Sequence, residues 1–170
     1  IRRQRQMCIR DSPDINLNNL KISKSEQKMA DEALEHKFFA HKGYQPSFFY
    51  GDDIDWTYWP VKDNELRWQL HRQKWFIPMG KAYRISGDEK YAKEWVYQYM
   101  DWINKNPLKT GLTSKRKTIS SGEVEYDGDN VSDDNVRYAW RPLEVSNRLQ
   151  DQASEFLLFN TSVSYTHLTL

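Results

Sequence analysis

The chain has 170 residues, of which 25 are basic and 24 acidic, and its formal net charge is +1. This length is that of one domain or of part of a larger protein. With 29% charged residues and a mean hydropathy of −0.90, it contains no apolar run near the ~20 residues that a membrane span requires. Seven Trp and ten Tyr exclude a disordered segment, and a single Cys excludes an intrachain disulfide framework.

The two ends of the chain differ in composition from the rest. Residues 1–12 contain four Arg and the single Cys, and residues 163–170 contain no formal charge. Both segments resemble translated adapter sequence, so we expect that neither is native and that the protein proper spans residues 13–162. Leaving them out removes four Arg and one Asp, which changes the formal charge from +1 to −2. The apparent basicity therefore gives no argument for a nucleic-acid partner.

Between these flanks, apolar residues recur at helical spacing and predict an all-α chain without strands of useful length. The first helix is expected to begin after Ser23 or Ser25 and to run to about Ala40. An aromatic connector follows over residues 43–60, where glycine and proline stand at the two ends. We expect this connector to be irregular.

The middle of the chain predicts a helical hairpin. A second helix opens at residues 63–64, and Pro78 is expected to kink it near Lys74, because proline lacks the amide hydrogen of the helix ladder. The pair Gly87-Asp88 is typical of a helix end followed by a new N-cap. The third helix is then expected to run to about Asn104, antiparallel to the second.

The last third of the chain begins with a polar stretch, residues 109–135, which has no hydrophobic period and predicts a loop or an insert. A last helix is expected to begin near residues 140–142, because proline is tolerated in a first turn. Its apolar positions predict a buried face formed by Val145, Leu149, Ala153 (or Gln152) and Phe156.

The aromatic connector is one candidate for contact with a ligand. Its rings could stack on the apolar faces of sugars, or they could cover a satellite cluster of the core, since Trp is buried on average. These rings belong to Tyr50, Trp56, Tyr58 and Trp59. Among them, we take Trp56 as the candidate substrate-binding residue.

The last helix is a second candidate, since Arg141, Glu144 and Arg148 share one of its faces next to Trp140. Guanidinium groups bind carboxylate or sulfate through paired hydrogen bonds, and Glu144 could hold them in place. An exposed ladder of ion pairs is the alternative. The candidate substrate-binding set is Trp56, Trp140, Arg141, Glu144 and Arg148.

Three stretches carry a resemblance to a known family: residues 54–76, residues 82–92 with the run SGDEKYA, and residues 140–149 with the run WRPLEVSNRL. Together they resemble the N-terminal region of the heparinase II/III polysaccharide lyases, and of their heparan sulfate lyases in particular. The resemblance implies an incomplete α/α toroid built of helical hairpins. It also implies a periplasmic or secreted enzyme whose partner is an acidic polysaccharide, cut by β-elimination.

In that family a Tyr acts as base and acid, while an Asn and His groups neutralise the substrate carboxylate. His36, His41 and His71 do not lie in such a motif, so no catalytic residue is carried over and the chain is expected to be inactive alone. No metal or other cofactor and no membrane contact are predicted. We expect the remaining toroid helices and a β-sandwich domain to lie downstream. The alternatives are another toroid enzyme, such as an alginate lyase or a glycosidase, and a helical-repeat binding module.

Overall fold

The computed structural model describes residues 17–38, 47–107, 115–118, 124–127 and 138–163. Helices make up most of this part of the chain. After a 3-10 turn at Leu17–Asn19 come the helices α1 (Lys24–Leu34), α2 (Asn64–Leu70), α3 (Phe76–Ser86), α4 (Glu89–Lys105) and α5 (Pro142–Phe159). No described helix combines the length and the apolar character that crossing a membrane requires. The predicted flanks lie outside the described residues, apart from Val163.

The predicted helical class is confirmed, and two short strand pairs are the exception to it. Strand β1 (Lys37–Phe38) pairs antiparallel with β2 (Phe48–Phe49), and β3 (Lys115–Thr118) pairs antiparallel with β4 (Val124–Asp127). The second pair lies inside the polar stretch that was expected to be a loop or insert. The four-residue sequences KRKT of β3 and VEYD of β4 are too short and too polar for hydrophobic periodicity to predict this hairpin.

The first helix ends at Leu34, six residues before the predicted end. The reason is His36, whose φ of +51° is the left-handed conformation that interrupts a helix. Its ring is held from both sides: Nδ1 lies 2.7 Å from the carbonyl oxygen of Gly51, and Nε2 lies 3.0 Å from Oε1 of Glu94. These contacts redirect the chain into β1.

The predicted helix starts and stops are confirmed where a cap residue signals them. Ser23 and Glu26 form a capping box at the start of α1, and Asp63 accepts a hydrogen bond from the first turn of α2. Gly87 ends α3 with a φ of +69°, and Asp88 caps α4. Each of these polar groups satisfies a backbone group that the helix itself leaves unpaired.

The predicted kink near Lys74 is a complete break between α2 and α3. Residues 71–75 form turns, and Gln73 adopts a left-handed φ of +54°. Pro78 is the third residue of α3, where its missing amide hydrogen has no helical acceptor to lose. The break leaves Trp75 at the N-cap of α3, in the core.

Helix α3 lies at the centre of the fold, where it packs against α1, α4 and α5. Flat aromatic contacts fill the space around it, with ring centroids 4.2 Å apart for Phe38 and Trp75 and 4.4 Å apart for Trp95 and Phe159. Burial of such large rings supplies much of the apolar area removed from water. Gly80 gives α5 room to approach, because Leu158 lies directly against its backbone.

The predicted buried face of the last helix is right only in part: Phe156 packs against the core, and Val145 and Gln152 are half-buried. Leu149 is 63% exposed and Ala153 is also exposed, while the inward side of α5 carries polar residues. The buried residues of this helix are Glu144, Ser154, Glu155, Leu158 and Phe159. Periodicity ranks positions by hydropathy, so it could not anticipate two carboxyl groups facing the core.

Replacing Gly80 by Ala should lower the free energy of unfolding by about 1–3 kcal/mol, the usual cost of overpacking. The added Cβ would lie 2.7 Å from Cβ of Leu158, which cannot move without shifting α5. At an open helix position the same change would instead stabilise by about 1 kcal/mol. Denaturant unfolding measures the sign of this change in the free energy of unfolding, with Ser146→Ala on the exposed side of α5 as the control. An unchanged or raised stability for Gly80→Ala would contradict this packing.

Candidate functional site

The candidate site is built around the Glu144 carboxylate, which is fully buried. Nη2 of Arg72 donates a hydrogen bond of 3.0 Å to Oε1 of Glu144, and Nε of Arg141 lies 3.7 Å from Oε2. Arg72 comes from the turn between α2 and α3, whereas Arg141 precedes α5. A buried carboxylate requires such cationic partners, because transfer from water is costly for an unpaired charge.

Arg148 lies one turn further along α5 and connects it to the same turn. Its Nη1 donates a 2.8 Å hydrogen bond to the carbonyl oxygen of His71. The guanidinium carbon stands 4.3 Å from the ring centroid of Trp102 and 5.3 Å from that of Trp140. Arg148 is thus neither a free surface cation nor a simple partner of Glu144: it is held by a carbonyl and two aromatic faces.

Trp140 and Arg141 occupy the entry to α5. The indole Nε1 of Trp140 donates a 2.8 Å hydrogen bond to the carbonyl oxygen of Asn106, which fixes the ring at the end of α4. The guanidinium of Arg141 stacks on Trp68 at 4.0 Å. The Arg141 side chain is 36% exposed, compared with 13% for Arg72.

Trp56 lies apart from this cluster, and the structure does not support its predicted contact with a sugar. The side chain is 2% exposed, its ring stacks on Phe38 and its Nε1 donates a 2.8 Å hydrogen bond to Asp101. The connector thus covers the core with Trp56, the alternative that the sequence left open. Tyr58 and Trp59 of the same connector are exposed.

A pocket of about 230 Å³ opens between α4 and α5, next to the arginine cluster. Trp102 and Trp140 line it together with the Arg148 side chain. Gln73 also lines it; this side chain is 4% exposed and its Nε2 has no hydrogen-bond partner. Nη2 of Arg148 is likewise buried without a partner. Both donors are closed to solvent and have no hydrogen-bond partner among the described residues.

Burial shifts several pKa values around the pocket. It lowers the pKa of His71 to about 3, and the neighbouring positive charge of Arg148 acts in the same direction. The His71 Nδ1 accepts a 3.1 Å hydrogen bond from Trp102, which fits a neutral ring. Burial also lowers the pKa of Arg148 to about 10, leaving it charged at neutral pH.

Glu155 is the buried carboxyl group of the pocket, and its pKa is raised to about 8. Desolvation is the main cause, and the negative charge of Asp151 adds to it. Trp95 and Lys74 act in the opposite direction. Glu155 is therefore largely protonated at neutral pH and adds little negative charge to the pocket.

Sequence reasoning missed the residues that the break between α2 and α3 contributes. The predicted second helix includes His71, Arg72 and Gln73, and a helix would direct these consecutive side chains to different sides of its axis. The turn instead directs them toward α4 and α5. The single available signal was Pro78, which predicted a distortion and not the direction of the side chains. In the described segments, no group of three or more His, Cys, Asp or Glu residues is placed to hold a metal ion.

Comparisons with a family model and with individual known proteins all point to the same family. A model of the heparinase II/III N-terminus matches residues 2–170. A heparin-sulfate lyase of Bacteroides stercoris is 67% identical over 155 residues, covering 91% of this chain and 22% of that protein. A heparin-sulfate lyase of Pedobacter heparinus is 49% identical over 145 residues, covering 85% of this chain and 19% of that protein.

Solved structures agree with this likeness. A heparinase III structure has a TM-score of 0.76 and 62% sequence identity, and the match covers 91% of this chain and 23% of that one. The chain thus spans about a fifth of the length of the curated relatives it matches. The foreign origin of the two flanks stays a prediction.

The raised pKa of Glu155 predicts that stability decreases as the pH rises. Its folded pKa of about 8 exceeds the ordinary 4.5, so the folded state binds the proton more tightly. This contribution is complete below pH 4.5 and is lost as the pH rises to 8. When the pH is raised from 5 to 9, the free energy of unfolding of the parent should therefore fall by a few kcal/mol more than that of Glu155→Gln, because glutamine stays neutral.

Denaturant unfolding of the parent and the variant at both pH values measures this difference, with the exposed Glu35→Gln as the matched control. Titration of other groups, His71 included, is common to all three proteins and cancels. An equal pH dependence of Glu155→Gln and the parent would show that Glu155 is ionised in the folded state.

Proposed function

The chain belongs to the heparinase II/III family, and we propose that it forms the N-terminal part of a lyase that cleaves heparan-sulfate-type glycosaminoglycans by β-elimination. The curated relatives support this substrate class, since they are heparin-sulfate lyases at up to 67% identity. The same relatives favour it over an alginate lyase, a glycosidase or a helical-repeat module. The described helices then form hairpins of an incomplete α/α toroid.

The observation that carries the proposal is the arginine cluster. Arg72, Arg141 and Arg148 converge on a region with one fully buried carboxylate, Glu144, and Arg72 lies 3.7 Å from a second, partly exposed one, Glu65. Without the flanks the chain has a formal charge of −2, so attraction of a polyanion must come from a local cationic region. Guanidinium groups beside aromatic rings are suited to sulfate and carboxylate groups on sugars.

In β-elimination a base removes the C5 proton of a uronate, which is feasible only when its carboxylate is neutralised. The contribution of the described residues to this reaction is binding and orientation of the anionic polymer. His71 is unsuited to act as the base, because it is buried, its pKa is about 3 and its Nδ1 already accepts a hydrogen bond. We therefore assign proton transfer to residues outside this region.

The proposal extends to location. A glycosaminoglycan chain is too large and too charged to cross a membrane unaided, so an enzyme that cleaves it acts where the polymer is found. We accordingly propose that the whole protein is periplasmic or secreted.

The test is a lyase assay on the full-length protein, followed by the ultraviolet absorbance of the unsaturated uronate that β-elimination creates. Heparan sulfate should give product, whereas alginate and carboxyl-reduced heparan sulfate should give none. Residues 1–170 alone should be inactive. Absence of product from heparan sulfate, or equal product from alginate, would contradict the proposed function.

Two variants of the full-length protein distinguish a substrate-binding role of the arginine cluster from a structural one. Arg141→Ala should raise KM on the order of tenfold, as expected for a lost hydrogen bond of ~1.5–3 kcal/mol to a charged group. It should also lower Tm, because Arg141 is one of the two guanidinium groups beside the buried Glu144 carboxylate. Arg84→Ala is the matched control, because Arg84 bonds to the end of α5, at Leu157 and Asn160. It should lower Tm without changing KM. A lowered Tm and unchanged KM for Arg141→Ala would show a structural role alone.

A further inference from the structure

His36 lies where the end of α1, the connector and α4 meet, and both nitrogens of its ring face oxygen atoms. Nδ1 is 2.7 Å from the carbonyl oxygen of Gly51, and Nε2 is 3.0 Å from Oε1 of Glu94 on α4. The backbone carbonyl oxygen of His36 also accepts a 3.0 Å hydrogen bond from the amide of Tyr50. The side chain is 13% exposed, so the ring is largely withdrawn from water and depends on these two oxygens.

The chemistry of the two oxygens constrains the protons on the ring. A backbone carbonyl oxygen can only accept a hydrogen bond, so Nδ1 of His36 must carry a hydrogen. A neutral imidazole has one N–H group, and its other nitrogen would then direct a lone pair at the Glu94 carboxyl group. Both contacts are hydrogen bonds only when the ring is doubly protonated or when Oε1 of Glu94 itself carries a proton.

A buried chain of hydrogen bonds favours the doubly protonated ring. Oε1 of Gln98 accepts a 2.8 Å hydrogen bond from the indole N–H of Trp75, so the other atom of this amide, Nε2, is the donor. That donor serves the carbonyl oxygen of Ala33 at 2.8 Å and Oε1 of Glu94 at 2.9 Å. Oε1 of Glu94 therefore lies between Nε2 of Gln98 and Nε2 of His36. An oxygen that accepts from two sides is typical of an ionised carboxylate, whose partner here is an imidazolium.

The groups around the ring are compatible with a positive charge on it. The Tyr97 ring stacks on it with centroids 5.7 Å apart, and an aromatic face attracts a cation. Burial raises the pKa of the Tyr97 phenol, which therefore stays neutral. Within the described segments, Glu94 is the side chain that forms an ion pair with His36. The other charged groups nearby are exposed or paired among themselves: Asp52 is exposed, Glu35 bonds to Lys37, and Lys105 bonds to Asp53 and Asp101.

We infer that His36 is doubly protonated in the folded protein and acts as a proton-dependent clamp, which holds the connector turn of residues 50–55 against α4. When the ring loses one proton to water, a nitrogen lone pair faces an oxygen lone pair, and one of the two contacts opens. The folded state thus binds this proton more tightly than the unfolded chain does. The clamp is therefore closed at acidic pH and opens as the pH rises through the range in which histidine titrates.

The opening is confined to this turn. Beyond it, the indole of Trp56 bonds to Asp101 of α4, and this hydrogen bond does not involve His36. Within the turn, the amide of Asp55 donates a 2.8 Å hydrogen bond to the carbonyl oxygen of Tyr50. The amides of Tyr50 and Asp55 therefore report on the clamp. The clamp is a property of the fold and does not depend on the proposed lyase activity.

The test is amide hydrogen–deuterium exchange of the full-length protein, measured by mass spectrometry on peptides that contain residues 50–55. Exchange is compared at about pH 5.5 and about pH 8.5, on either side of the ordinary histidine range, after correction for the intrinsic pH dependence of amide exchange. We expect protection of this turn to fall about tenfold or more at the higher pH, as for the loss of a hydrogen bond to a charged group. Titration of other groups is common to the parent and its variants and cancels in their comparison.

Two variants and a matched control connect this pH dependence to the ring. His36→Asn removes the titrating group and keeps a residue that adopts a positive φ readily, so protection of the turn should be weak and equal at both pH values. Glu94→Gln keeps an accepting oxygen without the charge, so protection should fall at the acidic pH and depend little on pH. Glu35→Gln removes a negative charge next to His36 in sequence, but this carboxylate bonds to Lys37, and the variant should behave like the parent.

Two results would overturn the clamp. One is that protection of residues 50–55 changes with pH no more in the parent than in His36→Asn. The other is that Glu94→Gln keeps the full pH dependence of the parent, which would show that the ring proton is not held by that carboxylate. If one of the two variants does not fold, the other decides the outcome by the same comparison.

Discussion

The structure depends on one constraint: a fully buried carboxylate on α5 must be compensated by guanidinium groups from elsewhere in the chain. Glu144 meets this requirement with Arg72 at 3.0 Å and Arg141 at 3.7 Å. Removing one partner of such a pair leaves an uncompensated charge, which typically costs 3–5 kcal/mol. The turn that carries Arg72 and the inward face of α5 are therefore fixed relative to each other.

The same turn makes the candidate site possible. Because residues 71–75 leave the helical path, His71 accepts hydrogen bonds from both α4 and α5, through Trp102 and Arg148. Gln73, which follows in the same turn with a left-handed backbone, lines the pocket between these helices. A helix continuing through this segment would be locally more stable, and it would separate these side chains. Local strain and shared polar contacts thus bring the side chains of this turn against α4 and α5.

Structural features that depend on local signals were predicted well from the sequence. The caps at Ser23, Asp63 and Asp88 and the left-handed Gly87 are where the sequence placed them, because each depends on one side chain or on one backbone conformation. The position of Trp140 and Arg141 at the start of the last helix was predicted for the same reason.

Features that depend on distant partners were not predictable. The burial of Glu144 on α5 was not predictable, because it depends on Arg72, which lies 72 residues away along the chain. The early end of α1 depends on Gly51 and Glu94, which hold His36. The sequence around Trp56 does not indicate whether its ring is exposed to solvent or packs against Phe38. In each case the deciding partner lies far away along the chain.

The most direct measurement of the central constraint is a double-mutant cycle of Arg72→Met and Glu144→Gln, followed by denaturant unfolding. We predict that each single variant loses about 3–5 kcal/mol and that the double variant loses less than the sum, with a coupling energy of about 2 kcal/mol or more. Losses that add within about 0.5 kcal/mol would mean that the pair does not interact in the folded protein and that α5 is held in place by other contacts.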